Sequence, residues 1–145
     1  MEIREIKERY QYLSLLLLAD EQLSMVEKYI DKGKMYGLYA PDLKGVCIII
    51  KRNNQDYEIT NLAIDECYQG KGYGKLFIKM LIKKYKGNGW LYVGTGESPK
   101  TLPFYQKCGF SFDYRIKDFF TLNYDHPIIE DRVVLKDMIY LKQKL

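Results

Sequence analysis

The sequence is poor in the residues that build metal centres and disulfide frameworks. It has three cysteines, an odd number without a Cys-x-x-Cys pair, and a single histidine, His126. Because zinc sites and disulfide frameworks need paired or clustered ligands, we expect no metal site and no disulfide bond. Unpaired cysteines are typical of a reducing compartment, so the same scarcity predicts a cytoplasmic location.

Long apolar runs and blocks of like charge are also missing. The apolar stretch Leu15–Ala19 is far too short to cross a bilayer, and the first residues do not have the shape of a signal peptide. The net charge of +4 is too small to indicate nucleic-acid binding. We therefore expect one globular domain over residues 1–145 that binds neither nucleic acid nor membrane, since its 47% hydrophobic content is enough for a core.

What is present is a succession of helical and strand patterns. The expected helices are Tyr10–Ala19, Glu21–Lys32, Lys75–Lys86 and Pro99–Cys108. The expected strands are Met1–Ile6, Met35–Tyr39, Val46–Lys51, Tyr57–Ile64, Trp90–Gly94, Phe110–Arg115 and Met138–Lys142. Strands 57–64 and 90–94 flank a helix and should therefore run parallel. The patterns predict an α/β fold of the α+β kind, with a mixed, mostly antiparallel sheet, one parallel pair and about four flanking helices.

Three glycines alternate in Gln69-Gly70-Lys71-Gly72-Tyr73-Gly74, directly before a predicted helix. A helix N-terminus has unpaired N–H groups and a partial positive charge, and glycines let a diphosphate approach them closely. The spacing does not match Gly-x-Gly-x-x-Gly, and no Gly-Lys-Ser/Thr follows, so the motif predicts neither a dinucleotide fold nor a P-loop. A glycine-rich connection without a ligand and a diphosphate site of another kind both remain open.

The same segment resembles the Gln/Arg-x-x-Gly-x-Gly/Ala signature of the GCN5-related N-acetyltransferase (GNAT) superfamily. A second segment, Tyr105-Gln106-Lys107-Cys108-Gly109-Phe110, resembles that family's Tyr-x-Lys-x-Gly-Phe segment. The order of elements agrees over nearly the whole chain, and residues 94–96, 118–120 and 137–139 are similar to a small bacterial branch of uncharacterised acetyltransferases. The resemblance implies the acyl-CoA N-acyltransferase fold and acetyl-CoA as the cofactor.

The resemblance also implies where acetyl-CoA binds. The parallel strands would splay and open a thioester slot between Ile64 and Trp90, and Ser98 would stand where the family often has an Asn that binds the pantetheine arm. Pro103 is compatible with the following helix only if that helix is short and starts late. The residues expected to bind the cofactor are Leu62, Ala63, Ile64, Gln69, Gly70, Lys71, Gly72, Tyr73, Gly74, Lys75, Ser98, Tyr105 and Lys107.

Direct acetyl transfer to an amine needs a base and an acid. An alkylammonium group, with a pKa of about 10.4, must lose a proton before it attacks, and the leaving thiolate must gain one. Glu58-Ile59-Thr60-Asn61-Leu62-Ala63-Ile64 resembles the run that carries the catalytic Glu of the histone-acetylating branch, which implies that Glu58 is the base. The resemblance implies that Tyr105 is the acid. The alternatives are a solvated carboxylate at Glu58 and a packing role for Tyr105.

A covalent route through cysteine is disfavoured, because Cys67 and Cys108 have no histidine partner. The alternative of another class is a non-catalytic acyl-CoA sensor, which would keep the glycine turn without needing Glu58 or Tyr105. We expect the enzyme, an acetyl-CoA-dependent N-acetyltransferase that acts on a primary amine by direct attack, and keep the sensor as the alternative.

A long, irregular segment is expected between the last two strands, over residues 118–131. Its aromatic and acidic side chains suit a cationic primary amine on a small molecule or a peptide. The expected substrate residues are Asp118, Phe119, Phe120, Tyr124 and Glu130. The segment is equally compatible with a dimer contact, which leaves a monomer and a homodimer open.

Overall fold

The computed structural model describes residues 1–145, which form nine strands and five α-helices. The strands are β1 (Glu2–Glu5), β2 (Lys34–Tyr39), β3 (Leu43–Lys51), β4 (Tyr57–Ile64), β5 (Trp90–Gly96), β6 (Ser111–Ile116), β7 (Ile129–Glu130), β8 (Val133–Val134) and β9 (Met138–Lys144). The helices are α1 (Leu13–Ala19), α2 (Leu23–Val26), α3 (Tyr73–Lys84), α4 (Thr101–Lys107) and α5 (Phe119–Asn123). None of them has the length and apolar content needed to span a bilayer.

Seven strands form one sheet in the order β1-β2-β3-β4-β5-β9-β6. Only β4 and β5 are parallel neighbours, and all other pairs are antiparallel. The crossover through α3 forces this parallel pairing, since a helix returns the chain to the same end of the sheet. The predicted mixed sheet with one parallel pair is confirmed, with five α-helices rather than about four.

Alternate residues of β3 show how the sheet separates two apolar layers. Cys47 and Ile49 pack in the larger cluster, with the α3 residues Phe77, Ile78 and Leu81. Val46 and Ile48 pack in the second cluster, with Leu16 of α1 and Val26 of α2. Because successive strand residues point to opposite faces, the β-branched run buries both faces of β3. Helices therefore cover both sides of the sheet beside β4.

Two predicted segments differ from the structure. The helix expected at Glu21–Lys32 is only one turn, Leu23–Val26, and the chain continues in turns to Gly33. Ile30 is buried although it is not in a helix. The Arg9 guanidinium donates hydrogen bonds to the carbonyl groups of Ile30, Lys32 and Gly33, which would otherwise lack helical partners. Helical spacing of apolar residues therefore overstated the length of this helix.

The segment 118–131 is also more regular than predicted. It contains α5 and the first strand of a small β7–β8 hairpin, and Phe120, Ile128 and Leu135 form a third apolar cluster. Pro103 is the third residue of α4, where its missing N–H is not needed, so the late helix start expected from this proline is confirmed.

Candidate functional site

The parallel strands β4 and β5 separate partway along their length. Their pairing is limited to Tyr57 with Leu91, Glu58 with Tyr92 and Ile59 with Val93. β4 continues to Ile64 and β5 to Gly96 without further pairing between them, which leaves an unpaired strand edge on each side of a slot. The splay inferred from the family resemblance is present.

The slot lies away from Trp90, contrary to the expected position. The Trp90 N–H donates to Asp56 Oδ1 at 2.8 Å, at the closed end of the parallel pair. Because the strands are parallel, residues that follow the last pair lie at the open end. The slot is therefore bounded by Thr60–Ile64 and Gly94–Gly96.

A cavity of about 810 Å³ occupies the slot and the adjoining surface. Eight of the residues expected to bind the cofactor line it, and they come from β4, the glycine turn, α3 and α4: Leu62, Ile64, Gln69, Gly70, Gly72, Lys75, Tyr105 and Lys107. Residues from α1, α5 and the β7–β8 hairpin line the rest of the cavity, which we call the acceptor end. The fold thus joins the two segments that sequence patterns identified separately.

The glycine turn has the geometry of an anion cradle. Gly70 and Gly72 have φ of 75° and 87°, and a Cβ atom on either would meet nothing within 4 Å. The N–H groups of residues 70–75 donate no hydrogen bond within the chain. Free amides at the start of a 12-residue helix, with Lys75 in the cavity wall beside them, fit a diphosphate group.

The other five expected cofactor residues do not line the cavity. Ala63 points into the second apolar cluster, and Lys71, Tyr73 and Gly74 lie outside the wall. Ser98 is 1% exposed, and its Oγ accepts from the N–H groups of Lys100 and Thr101, so it shapes the start of α4. Its hydroxyl also donates to Asp131 Oδ2 at 3.3 Å.

Tyr105 lies in the cavity wall and is 9% exposed. Burial raises the pKa of its hydroxyl, and the neighbouring Cys108 and Glu130 raise it further. No hydrogen-bond partner contributes to this shift of the pKa. The hydroxyl is therefore protonated at neutral pH and available to a group in the cavity.

Glu58 does not line the cavity. Its carboxylate accepts from Arg52 Nε at 2.9 Å, and the Arg52 guanidinium lies 3.9 Å from the Tyr92 ring centre and 4.8 Å from that of Tyr140. Burial and the Glu58 charge raise the pKa of Tyr140 to about 12. The structure thus places Glu58 in an enclosed ion pair beside the cavity.

The acceptor end contains three of the five expected substrate residues, Phe120, Tyr124 and Glu130. Asp118 and Phe119 are outside its wall. Asp118 is the residue before α5, has a left-handed φ of 55°, and its N–H donates to Asp137 Oδ1. Burial is the largest cause of the raised pKa of Glu130, and the charges of Asp131 and Glu21 add to it. Glu130 is therefore a carboxylate whose proton affinity is increased by its position in the cavity.

Asp20 and Asn61 also line the acceptor end, although sequence patterns did not identify them. Asp20 follows the last residue of α1, and Asn61 is a buried polar residue on β4. The only signal in the sequence was a polar residue inside an apolar strand pattern, at Asn61. Asp20 reaches the cavity through the chain reversal between α1 and α2, which local patterns do not describe.

Hydrogen bonds and ion pairs join the α1–α2 connection to the segment after α5. The Tyr124 hydroxyl donates to Asp20 Oδ1 at 2.6 Å, and the Asp125 N–H donates to Gln22 Oε1 at 2.9 Å. His126 bridges Glu21 and Asp125. These contacts hold the two walls of the acceptor end together.

Comparison with known proteins agrees with this geometry. The acetyltransferase (GNAT) domain family matches residues 31–112. The uncharacterized N-acetyltransferase YvbK of Bacillus subtilis (strain 168) is 40% identical over 131 residues, which span 88% of this chain and 84% of the relative.

Two solved structures show the same fold. A Bacillus subtilis acetyltransferase in complex with CoA has a TM-score of 0.89 and 36% identity, covering 99% of this chain and 98% of the other. A GNAT family acetyltransferase from Elizabethkingia anophelis with acetyl-CoA bound has a TM-score of 0.89 and 32% identity, covering 99% and 97%. Taken with the splayed strands and the glycine turn, these matches show that the chain belongs to the GNAT family of acetyltransferases.

Proposed function

We propose that this protein transfers an acetyl group from acetyl-CoA to a primary amine by direct attack, with both reactants in the cavity. The observation that carries the proposal is the cavity itself, because residues of the glycine turn with free amides, Tyr105 and Glu130 all line it. Acetyl-CoA supplies the activated thioester when it is bound. Its diphosphate would be held by the amides of residues 70–75, and its arm by the unpaired edge of β4.

Tyr105 is the proposed acid in this reaction. Its raised pKa keeps the hydroxyl protonated across the neutral range, so it can donate a proton to a leaving thiolate. Lys75 and Lys107 line the same cavity, and their positive charges favour binding of the negatively charged cofactor. The acid and the anion cradle are therefore parts of one surface.

Two carboxylates are candidates for the base. Glu58 stands at the position that the family motif implies, but its carboxylate is paired with Arg52 outside the cavity wall, so it would act through an intervening water. Glu130 lies in the wall, where burial raises its pKa and so increases its affinity for a proton. We propose Glu130 as the direct base and Glu58 as the alternative.

Replacing these carboxylates singly separates the two assignments. Glu130→Gln should lower kcat/KM roughly tenfold or more at neutral pH, because the ammonium group then has no carboxylate to take its proton. The loss should shrink as the pH rises towards the pKa of the amine, where the substrate supplies its own neutral form. Glu58→Gln, the matched control, should leave the pH–rate profile unchanged. A tenfold loss confined to Glu58→Gln would assign the base to Glu58 instead.

The proposed function is tested by measuring free thiol during incubation with acetyl-CoA and a set of primary amines. Catalysis should release many equivalents of thiol per protein, and the release should depend on the amine. A non-catalytic acyl-CoA sensor would bind acetyl-CoA without amine-dependent release. Comparing small amines with peptides in this assay tests which class of acceptor the protein uses. Gel filtration of the same sample tests whether the protein is a monomer or a homodimer.

A further inference from the structure

Four carboxylates line the acceptor end, and we call them the acidic wall: Asp20, Glu21, Glu130 and Asp131. No lysine or arginine forms an ion pair with any of them, and the only ion pair in the group joins Glu21 to His126. Burial raises the pKa of Glu130, and the nearby charges of Asp131 and Glu21 add to this effect. Asp20, Glu130 and Asp131 therefore form no ion pair within the chain, and only Glu21 has a basic partner.

The Asp20 corner of this wall is built by a chain of hydrogen bonds. The Tyr29 hydroxyl donates to Asp20 Oδ2 at 2.9 Å, and Tyr124 donates to Asp20 Oδ1 at 2.6 Å. Asn61 Nδ2 donates to the Tyr29 hydroxyl at 2.9 Å and to the Leu16 carbonyl at 2.9 Å. These bonds fix both the carboxylate of Asp20 and the amide of Asn61 in the cavity wall.

Asn61 supplies an independent observation at the same corner. It is 4% exposed, and its Oδ1 is the one buried side-chain oxygen or nitrogen without a hydrogen-bond partner in the chain. An unpartnered buried acceptor is costly, and a ligand N–H would satisfy it. The amide is not free to turn, because its Nδ2 already donates to Leu16 and Tyr29.

The C-terminus of α1 adds further acceptors beside Asp20. The carbonyl groups of Leu17, Leu18 and Ala19 accept no hydrogen bond within the chain, and Leu18 and Ala19 line the cavity. The last carbonyls of a helix carry a partial negative charge that favours cations. The stacked rings of Phe120 and Tyr124, 5.4 Å apart, offer apolar and π-rich surface at the same end.

We propose that the acceptor is a linear diamine. One of its amines would be placed for acetylation, and the second, as an ammonium group, would bind at the corner formed by Asp20, Asn61 and the end of α1. The inference rests on the proposed function and deepens it. The reacting amine lies near Tyr105 and Glu130, which belong to α4 and the β7–β8 hairpin. The second ammonium lies at α1, so Asp20 acts as a specificity residue and takes no part in proton transfer.

The test compares α,ω-diamines from diaminopropane to diaminooctane with n-alkylamines of the same lengths, by thiol release from acetyl-CoA. For at least one chain length, kcat/KM of the wild-type protein should be on the order of tenfold higher for the diamine, because a charge-assisted hydrogen bond is added. Asp20→Asn should bring the ratio of kcat/KM for the diamine to kcat/KM for the monoamine of the same length close to one, because only the diamine has an ammonium group for this carboxylate to bind. Asp31→Asn is the matched control, since Asp31 also accepts from a tyrosine hydroxyl, Tyr10 at 3.2 Å, but lies outside this cavity.

Each outcome decides the inference. Equal rates for diamines and monoamines, or a preference that persists in Asp20→Asn, would overturn the inference while the proposed function stood on the monoamine turnover. If no amine caused thiol release, both the proposed function and this inference would be wrong. If Asp20→Asn does not fold, the salt dependence of the wild-type protein decides, because KM for a dication should rise more steeply with ionic strength than KM for a monocation. Equal salt dependence would overturn the inference.

Discussion

Tyr105→Phe should lower kcat roughly ten- to a thousandfold while acetyl-CoA affinity stays within about twofold. The hydroxyl is the only group lost, and the ring keeps its edge contacts with Phe104 and Phe110 at 5.1 and 5.8 Å. Without the hydroxyl, a poorly solvated thiolate has to leave unprotonated. Single-turnover kinetics and a separate titration with CoA would measure the two quantities independently.

Tyr36→Phe is the matched control for this experiment. Tyr36 is also a buried tyrosine of the larger apolar cluster, but its hydroxyl bonds to the Tyr85 hydroxyl at 2.8 Å, away from the cavity. It should leave kcat unchanged and cost about 1 kcal/mol of stability, whereas Tyr105→Phe should cost less, since no hydrogen bond is broken. An unchanged kcat in Tyr105→Phe would remove the acid from the mechanism.

Gly72→Asp should raise the Kd for CoA on the order of a hundredfold, about 3 kcal/mol. Gly72 caps the start of α3 with a φ of 87° and leaves open space where its Cβ would stand. An aspartate there occupies the cradle, places a negative charge against the diphosphate and neutralises the positive end of the helix. Isothermal titration with CoA measures the loss directly.

Gly87→Asp gives a control with the same backbone cost. Gly87 has a φ of 92°, a Cβ atom on it would meet nothing within 4 Å, and it lies outside the cavity. A left-handed conformation costs a non-glycine residue about 1–2 kcal/mol, so both variants should lose similar stability. Gly72→Asn separates charge from size and should lose less CoA affinity than Gly72→Asp. Equal CoA affinity in Gly72→Asp and Gly87→Asp would show that this turn does not bind the diphosphate.

The cofactor half of the protein could be predicted from sequence because its determinants are local. Glycine spacing and the following helix fix the turn at residues 69–74, and the strand–helix–strand order fixes the parallel pair. The error at Trp90 arose because the motif predicts that the strands separate but not at which end. That point is set by the register of β4 against β5, which joins Ile59 to Val93 and then stops.

The acceptor half was harder to predict because it is assembled from distant segments. Phe120, Tyr124 and Glu130 were found from their chemistry, but Asp20 comes from a connection 104 residues earlier in the chain than its partner Tyr124. Glu58 shows the reverse problem. Its place on the strand was predicted, but its ion pair with Arg52, which directly follows β3 and is close in sequence, was not recognised.

The division of the cavity has a consequence for how such a protein can diversify. Outside the glycines of the turn, the binding groups of the cofactor site are main-chain amides and a strand edge, which most side-chain substitutions leave in place. The acceptor end relies on side chains held by the contacts of Asp20, Tyr124 and His126, each of which one nucleotide change can alter. Mutations can therefore change which acceptor is bound while the acyl donor stays the same. Descendants of one gene can then differ in substrate and still catalyse the same reaction.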